Sequence, residues 1–252
     1  MQQAKDLHQL LSSEAVRERP LRDRVGVNVI YRDTFDAITR IREAERAGVQ
    51  QIWIQGTNAL ITLAAVATQT ERIRLGTAVV ATYSRHPLEM AREALVVHEL
   101  ASGRLRLGIG PGDRVAVEQL YGVPQISPLA YLKEYLEVVR GVVWEGNLEY
   151  HGTFFNMSKD NAAAASVAAK LHQAQVPLLI SAVGLKAFRL AGEIADGALP
   201  WVSPVPYLLK SALPELRAGA EARSRPAPPV IAYVQVALSP EKGVVQAATR
   251  KL

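Results

Sequence analysis

The stretch that decides the fold is residues 100–113, which read LASGRLRLGIGPGD. Residues 105–109, which read LRLGI, have the length of a strand, and Ser102 and Gly103 end the helical pattern before it. Two further glycines follow that strand, at Gly110 and Gly112. A glycine there allows a positive φ angle and the close approach of a ring or a phosphate. The alternative is a tight turn in which Asp113 caps the next helix.

The segments before residues 100–113 alternate between strand and helix. Residues 86–100 predict a helix, and residues 73–81 before them predict a strand. Toward the N-terminus the same pattern predicts strands at residues 25–30 and 51–55 and helices at residues 34–47 and 59–68. Strands that alternate with helices over short connections indicate parallel βαβ units.

The pattern continues less regularly toward the C-terminus. It predicts a helix at residues 129–143, a small hairpin at residues 148–155, an Ala-rich excursion at residues 160–175, strands at residues 176–181, 197–201 and 230–238, and helices after 184 and at residues 206–223. About seven strands result, one fewer than a (β/α)₈ barrel has. The sequence therefore predicts an α/β fold, a TIM barrel, with a doubly wound open sheet as the alternative. Three explanations of the missing eighth unit stay open: the unit is absent from this chain, the barrel is incomplete at its C-terminal end, or residues are missing from the sequence. Residues 1–20 are predicted to be a polar arm and residues 21–252 a single domain, interrupted around residues 147–175.

Composition excludes several classes of protein. The chain has 252 residues, 49% of them hydrophobic, a net charge of +5 and no cysteine. This mixture excludes intrinsic disorder, a disulfide framework and a thiolate metal site. The five histidines lack metal-ligand spacing, so no metal is expected. Acidic residues are interspersed among the basic ones, which argues against nucleic acid as a partner. No membrane partner and no signal peptide are expected, and a cytoplasmic homodimer is the working prediction.

Three stretches carry a resemblance to a known family: residues 70–87, residues 100–113 and residues 176–197. Together they resemble the luciferase-like flavin oxidoreductases, most of all the branch that depends on the deazaflavin coenzyme F420 and includes methylenetetrahydromethanopterin reductase. The resemblance implies a (β/α)₈ barrel of the bacterial-luciferase-like type. It also implies an enzyme that transfers a hydride between coenzyme F420 and a small organic substrate. An FMN-dependent monooxygenase and a non-catalytic homologue without cofactor are the alternatives.

The resemblance places the cofactor at the carboxyl ends of the strands. It implies a non-prolyl cis peptide near Val79, Val80 or Ala81, behind the ring, and a phosphate at the loop before the helix after Gly184. The alternative role of Arg85 is a surface ion pair. The alternative position of Trp201 is the hydrophobic core. The residues implied in cofactor binding are Val79, Val80, Ala81, Thr82, Ser84, Arg85, Gly110, Pro111, Gly112, Asp113, Ser181, Ala182, Val183, Gly184 and Trp201.

The sequence departs from the family just after the second strand. Several relatives carry an acid or a histidine there, near the reactive centre of the ring, whereas this chain reads QGTN at residues 55–58. Thr57 is a candidate to hydrogen-bond a substrate carbonyl, although a hydroxyl is not a general acid at neutral pH. Asp33, after the first strand, is the nearest titratable substitute. Its alternative role is to cap the helix that begins at Thr34.

Overall fold

One curled sheet of parallel strands organises the chain. The computed structural model describes residues 12–160, 166, 172–236, 239–241, 243 and 246–247. The sheet contains, in chain order, β1 (Val27–Asn28), β2 (Gln51–Ile54), β3 (Arg74–Thr77), β4 (Val80–Ala81), β5 (Leu105–Gly110), β8 (Leu178–Ser181) and β9 (Gly197–Leu199). Neighbours along the sheet run β1-β2-β3-β5-β8-β9, and β4 extends β3 along the same side of β5. Every pair is parallel, as the βαβ pattern predicts.

Helices follow the strands and cover the outer face of the sheet. The longer helices are α3 (Thr34–Arg46), α4 (Ala59–Ala67), α5 (Pro87–Leu100), α6 (Arg114–Tyr121), α7 (Pro128–Arg140), α8 (Leu185–Ile194) and α10 (Leu213–Glu221). Three short ones are α1 (Ser13–Glu18), α2 (Leu21–Arg24) and α9 (Val205–Tyr207). In the described part of the chain, no helix combines the length and apolar character that crossing a bilayer requires.

Alternate residues of each strand point to opposite faces, and the two faces build different cores. The outer face carries Ile52, Leu75 and Leu107, which belong to a large cluster packed under the helices. The inner face carries Trp53, Leu179 and Leu199, which form a second and much smaller cluster. Only a few large side chains fill the inside of the sheet, so space remains there.

Several predicted elements have different bounds in the structure. The predicted strand at residues 73–81 is two strands, β3 and β4. The predicted strand at residues 230–238 is reduced, in the described residues, to a bridge in which Val230 pairs with Ala198. The predicted helix at residues 206–223 is three consecutive pieces, because the wider π-turn at Leu208–Ala212 separates α9 from α10. Helix α6 was not predicted, although its cap at Asp113 was.

The predicted hairpin is present as β6 (Tyr150–His151) and β7 (Asn156–Met157), paired in antiparallel fashion. Glu134 on α7 holds its turn, since the carboxylate accepts the backbone N–H groups of Thr153 at 2.9 Å and Phe154 at 2.8 Å. Most of the Ala-rich excursion lies outside the described residues.

The described part of the predicted N-terminal arm packs against the far end of the domain. Ser12 is buried and caps α1, accepting the N–H of Ala15 at 3.2 Å. The N–H of Ser13 donates to the carbonyl of Ala227 at 2.8 Å. These contacts bring the segment before β1 next to the segment after α10. Residues of both segments line the space inside the sheet.

Candidate active site in the barrel interior

A cavity of about 1110 Å³ fills the space inside the curled sheet. At the carboxyl ends of the strands, which we call the mouth, its walls come from the ends of β2, β5, β8 and β9 and from the bulge between β3 and β4. Barrel enzymes place their active sites at this end. The mouth is lined by Gln55, Gly56, Ala78, Val79, Pro111, Gly112, Asp113, Ser181, Val183, Leu199, Pro200, Trp201, Tyr233 and Val234.

A bulge between β3 and β4 projects into this cavity. Gly76 lies opposite Arg106, but Val80 lies opposite Ile109, so β3–β4 has one more residue than β5 over this interval. An extra residue on one strand defines a β-bulge. The peptide bond between Ala78 and Val79 is cis, at the place the resemblance implies, and both residues line the cavity.

The three predicted cofactor loops converge at Gly110. This residue pairs with Ala81 of β4, and the preceding Ile109 pairs with Ile180 of β8. A Cβ atom built on Gly110 would overlap the Ser181 hydroxyl and lie 3.0 Å from Val79 Cγ2. Val79, Gly110 and Ser181 therefore meet at one place although they are distant in sequence, and Val79 and Ser181 line the cavity there.

The side chain of Gln125 fixes the loop after β5 by two hydrogen bonds. Gln125 Nε2 donates to the carbonyls of Pro111 at 2.7 Å and Gly112 at 3.2 Å. Gly112 has a φ of +75°, a conformation that favours glycine. The carboxylate of Asp113 caps α6 by accepting the N–H of Ala116 at 2.8 Å. Asp113 thus borders the cavity with its carboxylate already engaged, and Gln125 is a positioning residue that the sequence analysis did not find.

Helix α8 begins at the mouth without a side-chain cap. Its N-cap, Gly184, has extended backbone and open space around the position of a Cβ atom. Tyr207 fixes the loop before it by donating its hydroxyl to the carbonyl of Val183 at 2.7 Å. An uncapped helix N-terminus offers free N–H groups and a positive dipole end, which suit an anion such as a phosphate. Ala182 is buried behind this loop, and Lys186 is exposed beside it.

Several predicted cofactor residues do not line the cavity. Arg85 forms an ion pair with Glu93 at 2.6 Å and donates to the carbonyl of Thr57 at 3.1 Å, which matches its alternative role. Ser84 donates to the carbonyl of Ala81 at 2.9 Å, and Thr82 is fully buried. These side chains, with Val80 in the outer core, support the bulge from behind.

The two predicted catalytic residues also lie outside the cavity lining. The Asp33 carboxylate accepts the N–H of Asp36 at 2.9 Å and caps α3, so the structure shows the alternative role. Thr57 is partly buried next to Gly56, and its carbonyl accepts from Arg85. Within the described residues, the cavity mouth has no carboxylate other than that of Asp113.

Aromatic side chains also line the mouth. Trp201 is 53% exposed and stacks on Tyr233, with ring centroids 4.8 Å apart and planes 18° from parallel. Trp201 was predicted to wall the pocket, whereas Tyr233 was not singled out. Asn28, on the inner face of β1, was also missed; its Oδ1 is buried without a partner among the described residues and lies at the cavity. Alternation along β1 is the signal that points Asn28 inward.

A parallel sheet wrapped by helices, with a glycine-lined cavity at its carboxyl ends, defines the class of (β/α)-barrel enzymes. The chain belongs to the luciferase-like monooxygenase family, whose model matches residues 24–252. The fold class and the family predicted from the sequence are therefore confirmed.

The relatives and structural neighbours of the chain include a methylenetetrahydromethanopterin reductase and a coenzyme F420-dependent tetrahydromethanopterin reductase. The chain is 30% identical over 216 residues to 5,10-methylenetetrahydromethanopterin reductase of Archaeoglobus fulgidus, covering 83% of this chain and 62% of that protein. The structure of the coenzyme F420-dependent tetrahydromethanopterin reductase of Methanopyrus kandleri superposes with a TM-score of 0.77 at 24% identity, covering 89% of this chain and 69% of the other. These matches confirm the resemblance to the F420-dependent branch.

The same fold also occurs with FMN. The oxygenating component of 3,6-diketocamphane monooxygenase of Pseudomonas putida, solved with FMN, superposes with a TM-score of 0.60 at 17% identity, covering 82% of this chain and 59% of the other. The chain spans between 49% and 62% of the length of the first curated relatives that it matches.

Proposed function

We propose that this chain binds coenzyme F420 at the cavity mouth and transfers a hydride between it and a small organic substrate. The observation that carries this proposal is the contact of three distant loops at Val79, Gly110 and Ser181, of which Val79 and Ser181 line the cavity. Because Gly110 has no Cβ, the side chains of Ser181 and Val79 pack over it, and this brings the three loops together beside the proposed place of a flat ring. The F420-dependent relatives support deazaflavin over FMN.

The residues present fit a flat ring with a phosphate tail. Val79 and Ala78 offer an apolar surface to one face of the ring, and the Trp201–Tyr233 pair also lines the mouth. The uncapped start of α8, with the hydroxyl of Ser181 near it, offers N–H and O–H donors to the phosphate. Coenzyme F420, when bound, supplies the carbon that carries the hydride.

The protein's part is to orient and to exclude water. Gln125 fixes the loop at Pro111 and Gly112, so the wall around Gly110 is rigid before a ligand arrives. Ser181, Asn28 and Gln55 are hydrogen-bonding side chains at the cavity. Because the Asp113 carboxylate caps α6, we propose that no carboxylate of the described residues donates a proton to the substrate at the mouth.

Cofactor titrations test this proposal. The purified protein is titrated with F420 in its reduced and oxidised forms and with FMN, following the fluorescence of each. We expect binding of F420 with a Kd in the micromolar range, about −8 kcal/mol, and weaker binding of FMN. FMN that copurifies with the protein would overturn the deazaflavin assignment, and the lack of any binding would favour the non-catalytic alternative.

We also propose that the chain forms a homodimer through its outer helices. Phe35 on α3, Ile61 on α4 and Val96 on α5 are 83%, 62% and 54% exposed, although large apolar side chains are usually buried. Light scattering coupled to size exclusion gives the mass directly. A dimer that dissociates in Ile61→Asp supports this surface, and a monomeric wild type contradicts it.

A further inference from the structure

The cavity has a second end, at the amino ends of the strands, and this floor is basic. Arg106 on β5 lines the cavity there and donates to Gln51 Oε1 on β2 at 3.0 Å. Arg74 on β3 lies between them in the sheet, because Gln51 pairs with Arg74 and Arg106 pairs with the next inward residue, Gly76. Arg24 also borders the floor. The barrel therefore brings several guanidinium groups to one end of its cavity.

The carboxylates of the floor already have cationic partners. Asp196 is buried between Arg140 at 3.1 Å and Arg225 at 3.3 Å, and also accepts the N–H of Leu178 at 2.8 Å. Asp23 forms an ion pair with Arg22 at 3.3 Å. Asp196 is therefore neutralised by two arginines, and the charge of Asp23 acts on Arg22 and Arg74.

Arg106, by contrast, has a neutral partner. In the part of the chain that the structure describes, no carboxylate lies within ion-pairing distance of Arg106. Burial and the nearby charges of Arg74 and Arg19 lower the pKa of Arg106 to about 10, so the side chain is still cationic at neutral pH. A buried cation without a counter-charge is costly, so an anionic ligand has a favourable place here.

The wall between floor and mouth is apolar. Trp53, Leu179 and Leu199 form it, with Ile231 packed against them. Arg106 and Gly110 lie on the same strand, four residues apart, which corresponds to about 13 Å. The cavity thus presents a cation at one end, an apolar middle, and the cofactor wall at the other end.

We propose that the substrate is an elongated, largely apolar molecule with one terminal oxyanion, a carboxylate or a phosphate, which Arg106 binds at the floor. A guanidinium binds either group through two parallel N–H donors. The reacting carbon of the substrate then lies near Gly110. Its distance from the charged end of the substrate is about 13 Å, the separation of Arg106 and Gly110 along β5. The position of the reaction rests on the proposed function, whereas the anion site at the floor does not depend on a cofactor.

Calorimetry without any cofactor tests the floor site. The probes are decanoate, decyl phosphate and decan-1-ol, which share an apolar chain and differ in the end group. We expect the two anions to bind at least tenfold more tightly than the alcohol, with an advantage that shrinks as KCl is added. The preference between decanoate and decyl phosphate tells which oxyanion the floor favours. Equal affinities for acid and alcohol would overturn the proposal.

Variants then locate the anion. Arg106→Gln should weaken decanoate binding at least tenfold and leave decan-1-ol unchanged, and Arg106→Lys should fall in between. Arg42→Gln, on the exposed side of α3, is the matched control and should change neither. If Arg106→Gln fails to fold by circular dichroism, Arg106→Lys and the salt dependence carry the test. Arg106→Lys with unaltered decanoate affinity and no salt dependence refutes the site.

The outcome is separable from that of the proposed function. Wild-type protein that binds decanoate through Arg106 but binds no F420 would leave the floor site standing and remove the deazaflavin assignment. Protein that binds F420 but binds decanoate and decan-1-ol equally well would keep the deazaflavin assignment and remove the floor site.

Discussion

Thr77 and Gly108 exchange two hydrogen bonds across the bulge in the sheet. The Thr77 hydroxyl donates to the carbonyl of Gly108 and accepts the N–H of Gly108, each at 2.8 Å. Both groups are buried. The extra residue of the bulge interrupts the backbone ladder between β3 and β5, and this side chain takes the place of the missing backbone partner.

Thr77→Val should therefore destabilise the fold. Valine has the shape of threonine, but it leaves a buried N–H and a buried carbonyl without partners, at about 1–3 kcal/mol for each such group. Urea unfolding followed by circular dichroism measures the loss. Thr39→Val is the control, because the Thr39 hydroxyl bonds only to the carbonyl of Phe35 on an exposed helix surface. Equal free energies of unfolding of the two variants would show that the Thr77 hydroxyl does not substitute for the missing backbone hydrogen bonds of Gly108.

Gly110→Ala should weaken F420 binding at least tenfold, or about 1.4 kcal/mol, while the protein stays folded. The new methyl group would meet the Ser181 hydroxyl and Val79 Cγ2, and so would narrow the wall against which the ring is proposed to lie. The Ser181 hydroxyl can rotate away, but Ser181 Cβ also lies 3.0 Å from the new methyl group and is fixed by the backbone, so a small loss of thermal stability should accompany the loss of affinity. Fluorescence titration gives the affinity and thermal unfolding gives the stability.

A pair of variants controls for this effect. Gly141→Ala adds the same methyl group outside the cavity, where the nearest atom is the carbonyl oxygen of Asn147 at 3.7 Å, so its affinity should stay within about twofold of wild type. Adding Ser181→Ala to Gly110→Ala removes the contact with the hydroxyl and should recover thermal stability lost in Gly110→Ala, whereas the affinity should not recover fully, because Ser181 is itself a proposed phosphate donor. No loss in Gly110→Ala would place the ring elsewhere.

Gly184→Asp tests the proposed phosphate position. The carboxylate would lie at the uncapped start of α8, where it would repel a phosphate and compete for the same N–H donors. We expect at least a tenfold loss of F420 affinity. Gly184→Asn has the same shape without the charge and should lose less. If both variants bind as wild type does, the phosphate does not sit at this helix.

The sequence predicted the elements whose signals are local. Residues 105–109 carried a strand-length run and a glycine stop, and β5 extends only one residue further, to Gly110. The sequence also predicted that the loops at Val80, Gly110 and Ser181 meet, because parallel strands bring their carboxyl ends to one edge. It did not distinguish Val79, which lines the cavity, from Val80, which lies in the outer core. The sequence did not decide the roles of Arg85 and Asp33, since a lone charged residue near a strand end has the same pattern whether it binds a ligand, pairs with a neighbour such as Glu93, or caps a helix.

Other features depend on contacts between distant parts of the chain. Gln125 supports Pro111 from a loop that carries no sequence motif. Tyr233 stacks on Trp201 although the segment around Tyr233 forms few backbone hydrogen bonds with the sheet. The basic floor depends on the register that aligns Arg74 and Arg106 with Gln51. A register is a property of the assembled sheet, so composition and spacing alone do not reveal it.

Glu45 gives the fold a dependence on pH. Its carboxylate accepts the backbone N–H groups of Arg72 at 2.7 Å, Ile73 at 2.8 Å and Glu71 at 3.1 Å, and so joins α3 to the start of β3. Burial raises the pKa of Glu45, but the backbone N–H donors of Arg72, Ile73 and Glu71 lower it further, so the net pKa lies below the ordinary value of 4.5. The folded state therefore favours the ionised carboxylate.

The sign of the effect follows from this lowered pKa. The stabilisation is complete above the ordinary pKa of glutamate and is lost as the pH falls through the lower pKa of the folded state. Glu45→Gln should lower the free energy of unfolding at pH 7 by about 1 kcal/mol, since the amide is a weaker acceptor than the carboxylate, and this difference should shrink below about pH 4. Urea unfolding at several pH values measures it, with the exposed Glu99→Gln on α5 as control. A difference that stays constant down to pH 3 would mean that the Glu45 side chain acts by its shape and not by its charge.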